Sequence, residues 1–303
     1  MGALNAYKAG NPIWTMRKTL YAMAEPTLGY CADAVRRHDH DRYLTALFAP
    51  ASLRDDLFAL YAFNIEVAKT REVVSEPMLG QIRLQWWRES IEGAYAGTPR
   101  RHEVVEPLTA AIARHGLDRA LFDRLIDGRE ADMDDEAPAD LECLVNYAQV
   151  TGAPVTQLAA SIMGATDTPS QEAARLVGTG WALTGIIRAV PFLARGHRSR
   201  LPANLMDQHG VTEPALYDLK PESGITKVVE AVADAAADHL RRSRSMRRDV
   251  AKAALPALLP ARLADHYLGR IAKAGHDPMS RDLLRPLVSR QLGLAWNATL
   301  GRY

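Results

Sequence analysis

The chain has 303 residues and carries 37 Lys and Arg against 36 Asp and Glu side chains, giving a formal net charge of +1. This balance creates no overall field that would select nucleic acid as a partner. Two cysteines, Cys31 and Cys143, lie far apart without a CxxC or Cys/His ligand pattern, which favours a reducing compartment. No uninterrupted apolar run reaches about 18 residues, so we predict a soluble globular protein without a membrane-spanning helix.

Residues 1–24 form a basic N-terminal arm that contains no acidic residue. Lys8, Arg17 and Lys18 stand beside apolar side chains such as Ile13 and Trp14. This pattern is compatible with a membrane-surface or organelle-targeting segment, but an ordinary solvated first helix is the favoured interpretation.

Apolar residues recur at spacings of three and four along the chain and strand patterns are almost absent, which predicts an all-α fold. One helix is predicted to start at a cap formed by Ser52 and Asp55 and to end by Pro77. Further predicted helices span residues 78–97, 103–115, 117–134, 139–163, 170–195, 224–253, 257–274 and 280–300, with loops near 97–102, 164–169, 196–223 and 274–279. Since no linker is long or polar enough to separate domains, residues 1–303 are predicted to form a single domain.

A succession of short motifs follows in an order that chance helical patterning would hardly reproduce. The motifs are Pro50, Arg54 and Tyr61-Ala62-Phe63; Arg83-Leu84-Gln85-Trp86-Trp87-Arg88; residues 125–133 with Asp132; residues 141–152 with Tyr147; and Arg188, Arg198 and Leu201-Pro202. Over residues 40–295 this succession resembles the squalene/phytoene synthase family. The resemblance implies the isoprenoid-synthase fold, an all-α bundle around a central cavity.

The same resemblance draws attention to carboxylates that are missing. Members of the family carry Asp-Asp-x-x-Asp after the first Tyr-Ala-Phe and Arg-Asp-x-x-Glu-Asp in the second motif, and these carboxylates hold magnesium, a hard ion that requires oxygen ligands. The aligned positions here are Ala68, Lys69, Glu72, Ala189, Phe192 and Leu193. Because one carboxylate cannot hold three ions, we expect no catalytic residue, no metal site and no cofactor, with Mg²⁺ required only by a residual prenyltransferase. Pro191 is also expected to interrupt its helix.

Basic side chains provide another way to bind a phosphate group. Arginine and lysine could hold a diphosphate directly, although arginines on helices more often form surface ion pairs. The candidates for binding a substrate or a lipid are Arg54, Tyr61, Lys69, Arg71, Asp132, Tyr147, Arg188 and Arg198.

Four other clusters have plainer interpretations. The acidic residues of segment 130–136 indicate a solvated loop rather than a metal site, and His38-Asp39-His40-Asp41 indicates a polar helix entry. Gly178 and Gly180 lie in a helical segment and do not match a nucleotide-binding fingerprint. Basic residues between Arg241 and Lys252 favour a solvated helix face, with anionic lipid headgroups or an acidic protein as alternatives.

The residue sequence of the first motif resembles that of a non-catalytic branch of the family. It reads Tyr61-Ala62-Phe63-Asn64-Ile65-Glu66 and is followed by Val74-Ser75-Glu76. That branch includes the mitochondrial assembly factor for respiratory complex I and its bacterial relatives. The resemblance implies complex I subunits or other assembly factors as partners, a polyprenyl lipid as a further option, and no nucleic acid. It places the protein in the bacterial cytoplasm or the mitochondrial matrix, with peripheral contact to the inner membrane. The alternatives are a head-to-head prenyl diphosphate transferase with a rearranged site and a polyprenyl-lipid binding protein.

Overall fold

The computed structural model describes residues 29–74, 76–219 and 223–280, together with 283, 293–294, 296–297 and 301–303. The basic arm predicted over residues 1–24 lies outside the described residues, as does most of the helix predicted over 280–300.

Within the described residues the regular elements are helical and no strand is present, which confirms the all-α prediction. The α-helices are α1 (Tyr30–His38), α2 (His40–Ala46), α3 (Ala51–Ala68), α4 (Pro77–Tyr95), α5 (Val105–His115), α6 (Arg119–Gly128), α7 (Leu141–Thr151), α8 (Ala153–Ile162), α9 (Thr168–Arg195), α10 (Ala203–Gln208), α11 (Glu213–Tyr217), α12 (Ser223–Ser245), α13 (Leu255–Leu258) and α14 (Pro260–Lys273). Single 3-10 turns occupy Arg129–Asp132 and Lys252–Ala254.

Several local predictions were wrong. The segment 139–163 forms two helices that meet at Gly152, and the helix predicted over 224–253 ends at Ser245. Pro50, not Ser52, precedes the first residue of α3, and no side-chain cap forms there. The loop predicted over residues 196–223 contains α10 and α11, and Thr212 starts α11 by accepting a hydrogen bond from the amide of Ala215 at 3.4 Å. Pro191 does not interrupt α9, which continues to Arg195 because its last turns bury Val190 and Ala194 in the core.

Helix α9 is the central element of the bundle, packing against α7, α8, α12 and α14. Its Gly178 allows this close approach, since a Cβ atom there would lie 2.6 Å from the Cα atom of Ala153 in α8. A Cβ atom at Gly180 would lie 2.9 Å from the side chain of Leu240 in α12. The absence of a side chain at these two glycines therefore allows the helices to pack closely.

The same helix is long and apolar enough to cross a membrane, and 61% of its most apolar window is buried inside the bundle. Its first half contributes Val177 and Trp181 to one hydrophobic cluster, and its second half contributes Leu183 and Ile187 to another. Burial by neighbouring helices accounts for this apolar composition, as in the core helix of a globular bundle.

Candidate functional site

A cavity of about 560 Å³ opens beside α9. Helix α9 supplies its apolar wall with Trp181, Ala182, Ile186 and Leu193, and Gly185 leaves open space because no atom lies within 4 Å of where its Cβ would be. The opposite side is formed by the junction of α1 and α2, the end of α3, the Arg129–Asp132 turn, α7 and the segment that follows α9.

Residues of both degenerate motifs line this cavity. Ala68 and Glu72 line it from the end of α3, and Ala189 and Leu193 line it from α9. Among the residues described, no group of three or more His, Cys, Asp and Glu side chains is placed to hold a metal ion. The side chains at these positions therefore do not fit the magnesium cluster that the family resemblance implies.

The other two motif positions lie away from the cavity. Lys69 follows the last residue of α3 and is half-buried, whereas the side chain of Phe192 is 58% exposed on α9. Phe192 is about 60° around the helix from Ala189 and about 100° from Leu193, and its side chain is exposed and does not line the cavity. Neither residue replaces the missing carboxylates.

Asp132, the carboxylate that matches a family aspartate, is buried and surrounded by protein donors. The hydroxyl of Tyr147 donates to Oδ1 at 2.6 Å, and Arg200 donates to the same oxygen at 3.1 Å. Arg129 donates to Oδ2 at 3.2 Å and to the Tyr147 hydroxyl oxygen at 3.0 Å. Both carboxylate oxygens are thus hydrogen-bonded within the protein, which makes Asp132 an anchor for two arginines.

This environment also changes the acidity of Tyr147. Burial, reinforced by the negative charge of Asp132 and opposed by Arg129, raises the pKa of Tyr147 to about 12. The phenol therefore stays protonated at neutral pH and keeps donating to Asp132.

A second buried carboxylate, Asp41, was predicted from the sequence only as part of a polar helix entry and not as a member of the binding site. It accepts a hydrogen bond from the Tyr267 hydroxyl at 2.7 Å and lies 3.5 Å from a guanidinium nitrogen of Arg188. The Arg188 guanidinium stands 3.7 Å from the centre of the Tyr267 ring. Asp41 and Tyr267 are 226 residues apart, so only the tertiary fold brings them together.

The His38–Asp41 segment forms the rim of the cavity as well as a helix entry. Asp39 caps α2 by accepting from the amide of Arg42 at 3.1 Å and from its guanidinium at 2.8 Å. The polar-entry interpretation is confirmed, while the contribution of His38 and His40 to the cavity lining was missed.

Of the binding candidates, five line the cavity, namely Arg71, Asp132, Tyr147, Arg188 and Arg198. Three do not. Arg54 donates through Nε to the carbonyl of Ala49 at 2.9 Å, Lys69 ends α3, and Tyr61 is buried in the hydrophobic core. Burial raises the pKa of Tyr61 to about 12. The structure brings together Tyr147 of α7 and Arg188 of α9 but leaves both candidates on α3, Arg54 and Tyr61, outside the cavity.

The acidic run beside the cavity is largely exposed, as the loop interpretation predicted. Asp134, Asp135 and Glu136 are exposed, and Asp135 pairs with Arg71 at 3.1 Å. Glu130 pairs with Arg88 at 2.5 Å. These contacts connect the loop to α4 and to the end of α3 rather than to a metal.

The cavity has an excess of positive charge. Its lining contains seven arginines and four carboxylates, and the additional arginines are Arg37, Arg42, Arg129 and Arg200. The backbone amide of Arg198 donates to the carbonyl of Leu193 at 3.0 Å, whereas its guanidinium forms no hydrogen bond with the described residues. A cavity with this lining attracts anions and repels divalent cations.

Comparisons with known proteins agree with this geometry. The chain is 31% identical over 280 residues to NADH dehydrogenase (ubiquinone) complex I, assembly factor 6, from Bos taurus, covering 92% of this chain and 84% of that protein. The Homo sapiens protein of the same name is 30% identical over 248 residues, covering 82% and 74% respectively.

Among solved structures, squalene synthase HpnC from Alicyclobacillus acidocaldarius superposes with a TM-score of 0.72 at 22% identity, covering 82% of this chain and 94% of that one. This similarity confirms the isoprenoid-synthase helical fold. A model described as squalene/phytoene synthase matches residues 35–291. The chain therefore belongs to the squalene/phytoene synthase family.

Proposed function

We propose that this protein is a non-catalytic assembly factor for respiratory complex I that retains the family cavity without its magnesium chemistry. The observation that carries the proposal is the composition of the motif wall, where Ala68, Ala189 and Leu193 line the cavity without a carboxylate at positions where the family resemblance implies one. The same role is supported by relatives named as complex I assembly factors, such as the cattle protein, which is 31% identical to this chain.

The chemistry of the cavity explains why prenyl transfer is not expected. Ionising an allylic diphosphate requires strong neutralisation of the departing pyrophosphate, which magnesium supplies when carboxylates hold it. Here Asp132 and Asp41 are already bonded to arginine and tyrosine side chains. We infer partners among complex I subunits or other assembly factors, and a location in the bacterial cytoplasm or mitochondrial matrix near the inner membrane.

Deleting the gene in its own organism and measuring assembled complex I on native gels tests the helper role. We expect less assembled complex after deletion and recovery when the wild-type gene is returned. In parallel, purified protein is incubated with Mg²⁺ and farnesyl or geranylgeranyl diphosphate. Normal complex I levels after deletion would contradict the assembly role, and a squalene- or phytoene-type product would contradict the non-catalytic one.

A second candidate function, the binding of an anionic polyprenyl lipid, is favoured by the excess of arginines beside an apolar wall. Native mass spectrometry of the purified protein would detect such a lipid. Gly185→Trp should fill the cavity and abolish the complex, whereas Gly269→Trp, at an exposed position of α14 with no atom near its Cβ position, should not. Equal lipid occupancy in both variants would exclude the cavity as the binding site.

A further inference from the structure

A second groove, of about 940 Å³, lies where α12 ends and the chain turns into α13. It shares no lining residue with the motif cavity. Its basic side chains are Arg244, Arg247, Arg248 and Lys252; its apolar ones are Val250, Ala251, Leu255 and Leu258; and Ser245, Gly301 and Tyr303 complete it. No acidic side chain lines the groove within the described part of the chain.

The charges in this groove are only partly compensated. Arg244 bonds both oxygens of Asp265, at 3.0 and 2.6 Å, so its charge is neutralised locally. Arg247 donates to the carbonyl of Gly301 at 2.7 Å, a neutral partner that leaves its charge intact. Arg248 and Lys252 are exposed, and no carboxylate of the described residues forms an ion pair with either. Arg247, Arg248 and Lys252 therefore face the groove without an acidic side chain among its described lining residues.

The basic residues of segment 241–252 differ in whether a carboxylate pairs with them. Arg241 and Arg242, earlier on α12, do not line the groove and both pair with Asp238, at 2.5 and 3.8 Å. The uncompensated charge is thus concentrated in the groove rather than spread along the helix face.

Apolar side chains lie directly beside these cations. Val250, Ala251 and Leu255 are partly exposed, whereas Leu258 is fully buried beneath them. Arginine binds phosphate oxygens through paired N–H donors, and an apolar wall binds hydrocarbon. A soluble acidic peptide would leave this wall without a partner, whereas a lipid uses both surfaces.

We propose that this groove binds an anionic phospholipid, with its phosphate on Arg247, Arg248 and Lys252 and the start of an acyl chain against Val250 and Leu255. The site would hold the protein at an anionic membrane surface through a region separate from the motif cavity. It does not depend on the proposed role in complex I assembly.

Co-sedimentation of the full chain with phosphatidylcholine vesicles, with and without phosphatidylglycerol, tests the proposal. We expect binding only when phosphatidylglycerol is present. The double variant Arg248→Glu with Lys252→Glu should weaken it by at least about tenfold, because each cation at an anionic surface contributes about 1 kcal/mol. Both residues are exposed and make no ion pair with the described residues, so circular dichroism should show an intact fold.

The matched control is Arg241→Glu with Arg242→Glu, which makes the same charge change in the same basic run outside the groove. It should weaken binding much less. Equal losses in the two double variants would overturn the proposal by showing that diffuse charge causes binding. Absence of binding to phosphatidylglycerol vesicles would overturn it as well.

Two further probes identify the kind of ligand. Val250→Ser leaves every charge in place and should weaken vesicle binding if the apolar wall holds an acyl chain; unchanged binding would contradict that part. Glycerol 3-phosphate should not displace the protein from vesicles at an equal phosphate concentration. Displacement by it, or binding of polyglutamate in preference to vesicles, would assign the groove to a soluble phosphate or an acidic protein instead.

Discussion

The motif wall and the Asp132 network line the same cavity but have changed in opposite ways. On the wall, Ala68, Ala189 and Leu193 line the cavity where the family resemblance implies carboxylates. In the network, Asp132 stands where the resemblance implies an aspartate, and Tyr147, Arg129 and Arg200 donate to it. A carboxylate in the expected place is therefore not by itself a metal ligand, because its oxygens must also be free of protein donors.

Burial makes this difference energetically important. The side chain of Asp132 is only 12% exposed, so its charge depends on the two arginines that lie about 3 Å away. Removing one partner of such a group leaves the others buried and uncompensated, which costs more than the pair contributes. The following predictions start from this network and end at the motif wall.

The largest effect is expected from Asp132→Asn, which removes the negative charge shared by Arg129 and Arg200. The free energy of unfolding should fall by about 3 kcal/mol, measured by urea denaturation at neutral pH. Asp135→Asn is the control, because Asp135 is 66% exposed and pairs only at the surface with Arg71. Equal, small losses in both variants would show that Asp132 is not an anchor.

Tyr147→Phe should cost about 2 kcal/mol, since it removes a hydrogen bond to a charged group. The cost should depend on pH, because the folded pKa of Tyr147 is raised from 10.0 to about 12. A raised folded pKa gives stability that is complete below the unfolded pKa and is lost as pH rises through the folded value. The difference between wild type and Tyr147→Phe should therefore shrink as pH rises from 10.0 to about 12.

Unfolding measured across this pH range in both proteins provides the check. Tyr61, whose pKa is also raised to about 12, is present in both proteins, so its contribution cancels in the difference. A stability difference that stays constant up to the highest pH would contradict the raised pKa of the buried Tyr147 phenol.

The sequence predicted the helices better than it predicted the contacts between side chains inside the cavity. Helix α9 was predicted from residue 170 to 195 and runs over Thr168–Arg195, because its apolar spacing is a local property of the chain. The pairing of Asp41 with Tyr267 depends on how α2 and α14 pack, which helical periodicity does not encode. Motif spacing also could not show that Lys69 and Phe192 lie away from the cavity.

Restoring carboxylates to the motif wall tests whether their loss alone removed magnesium binding. Magnesium should not raise the Tm of the wild-type protein beyond the effect of matched ionic strength. The triple variant Ala68→Asp, Ala189→Asp and Leu193→Asp should be stabilised by about 1.4 kcal/mol when Mg²⁺ is tenfold above its Kd.

The control for this experiment is the triple asparagine variant at the same positions, which matches the size but lacks the charge. It should show no magnesium effect. Stabilisation of the wild-type protein by magnesium would mean that Glu72 and the remaining carboxylates suffice to bind the ion. The contrast between the motif wall and the Asp132 network would then be wrong.

The smallest effect concerns the open space on the motif wall. Gly185 lies inside α9 with no atom within 4 Å of its Cβ position, so Gly185→Ala should raise the free energy of unfolding by up to about 1 kcal/mol through helix propensity. Gly178→Ala, two turns earlier on the same helix, should lower it, because the new Cβ would lie 2.6 Å from the Cα atom of Ala153. Thermal unfolding of both variants measures the opposite signs. A loss of stability at Gly185 would mean that the wall is closed by packing, and the cavity would then leave no room for a lipid or a partner segment.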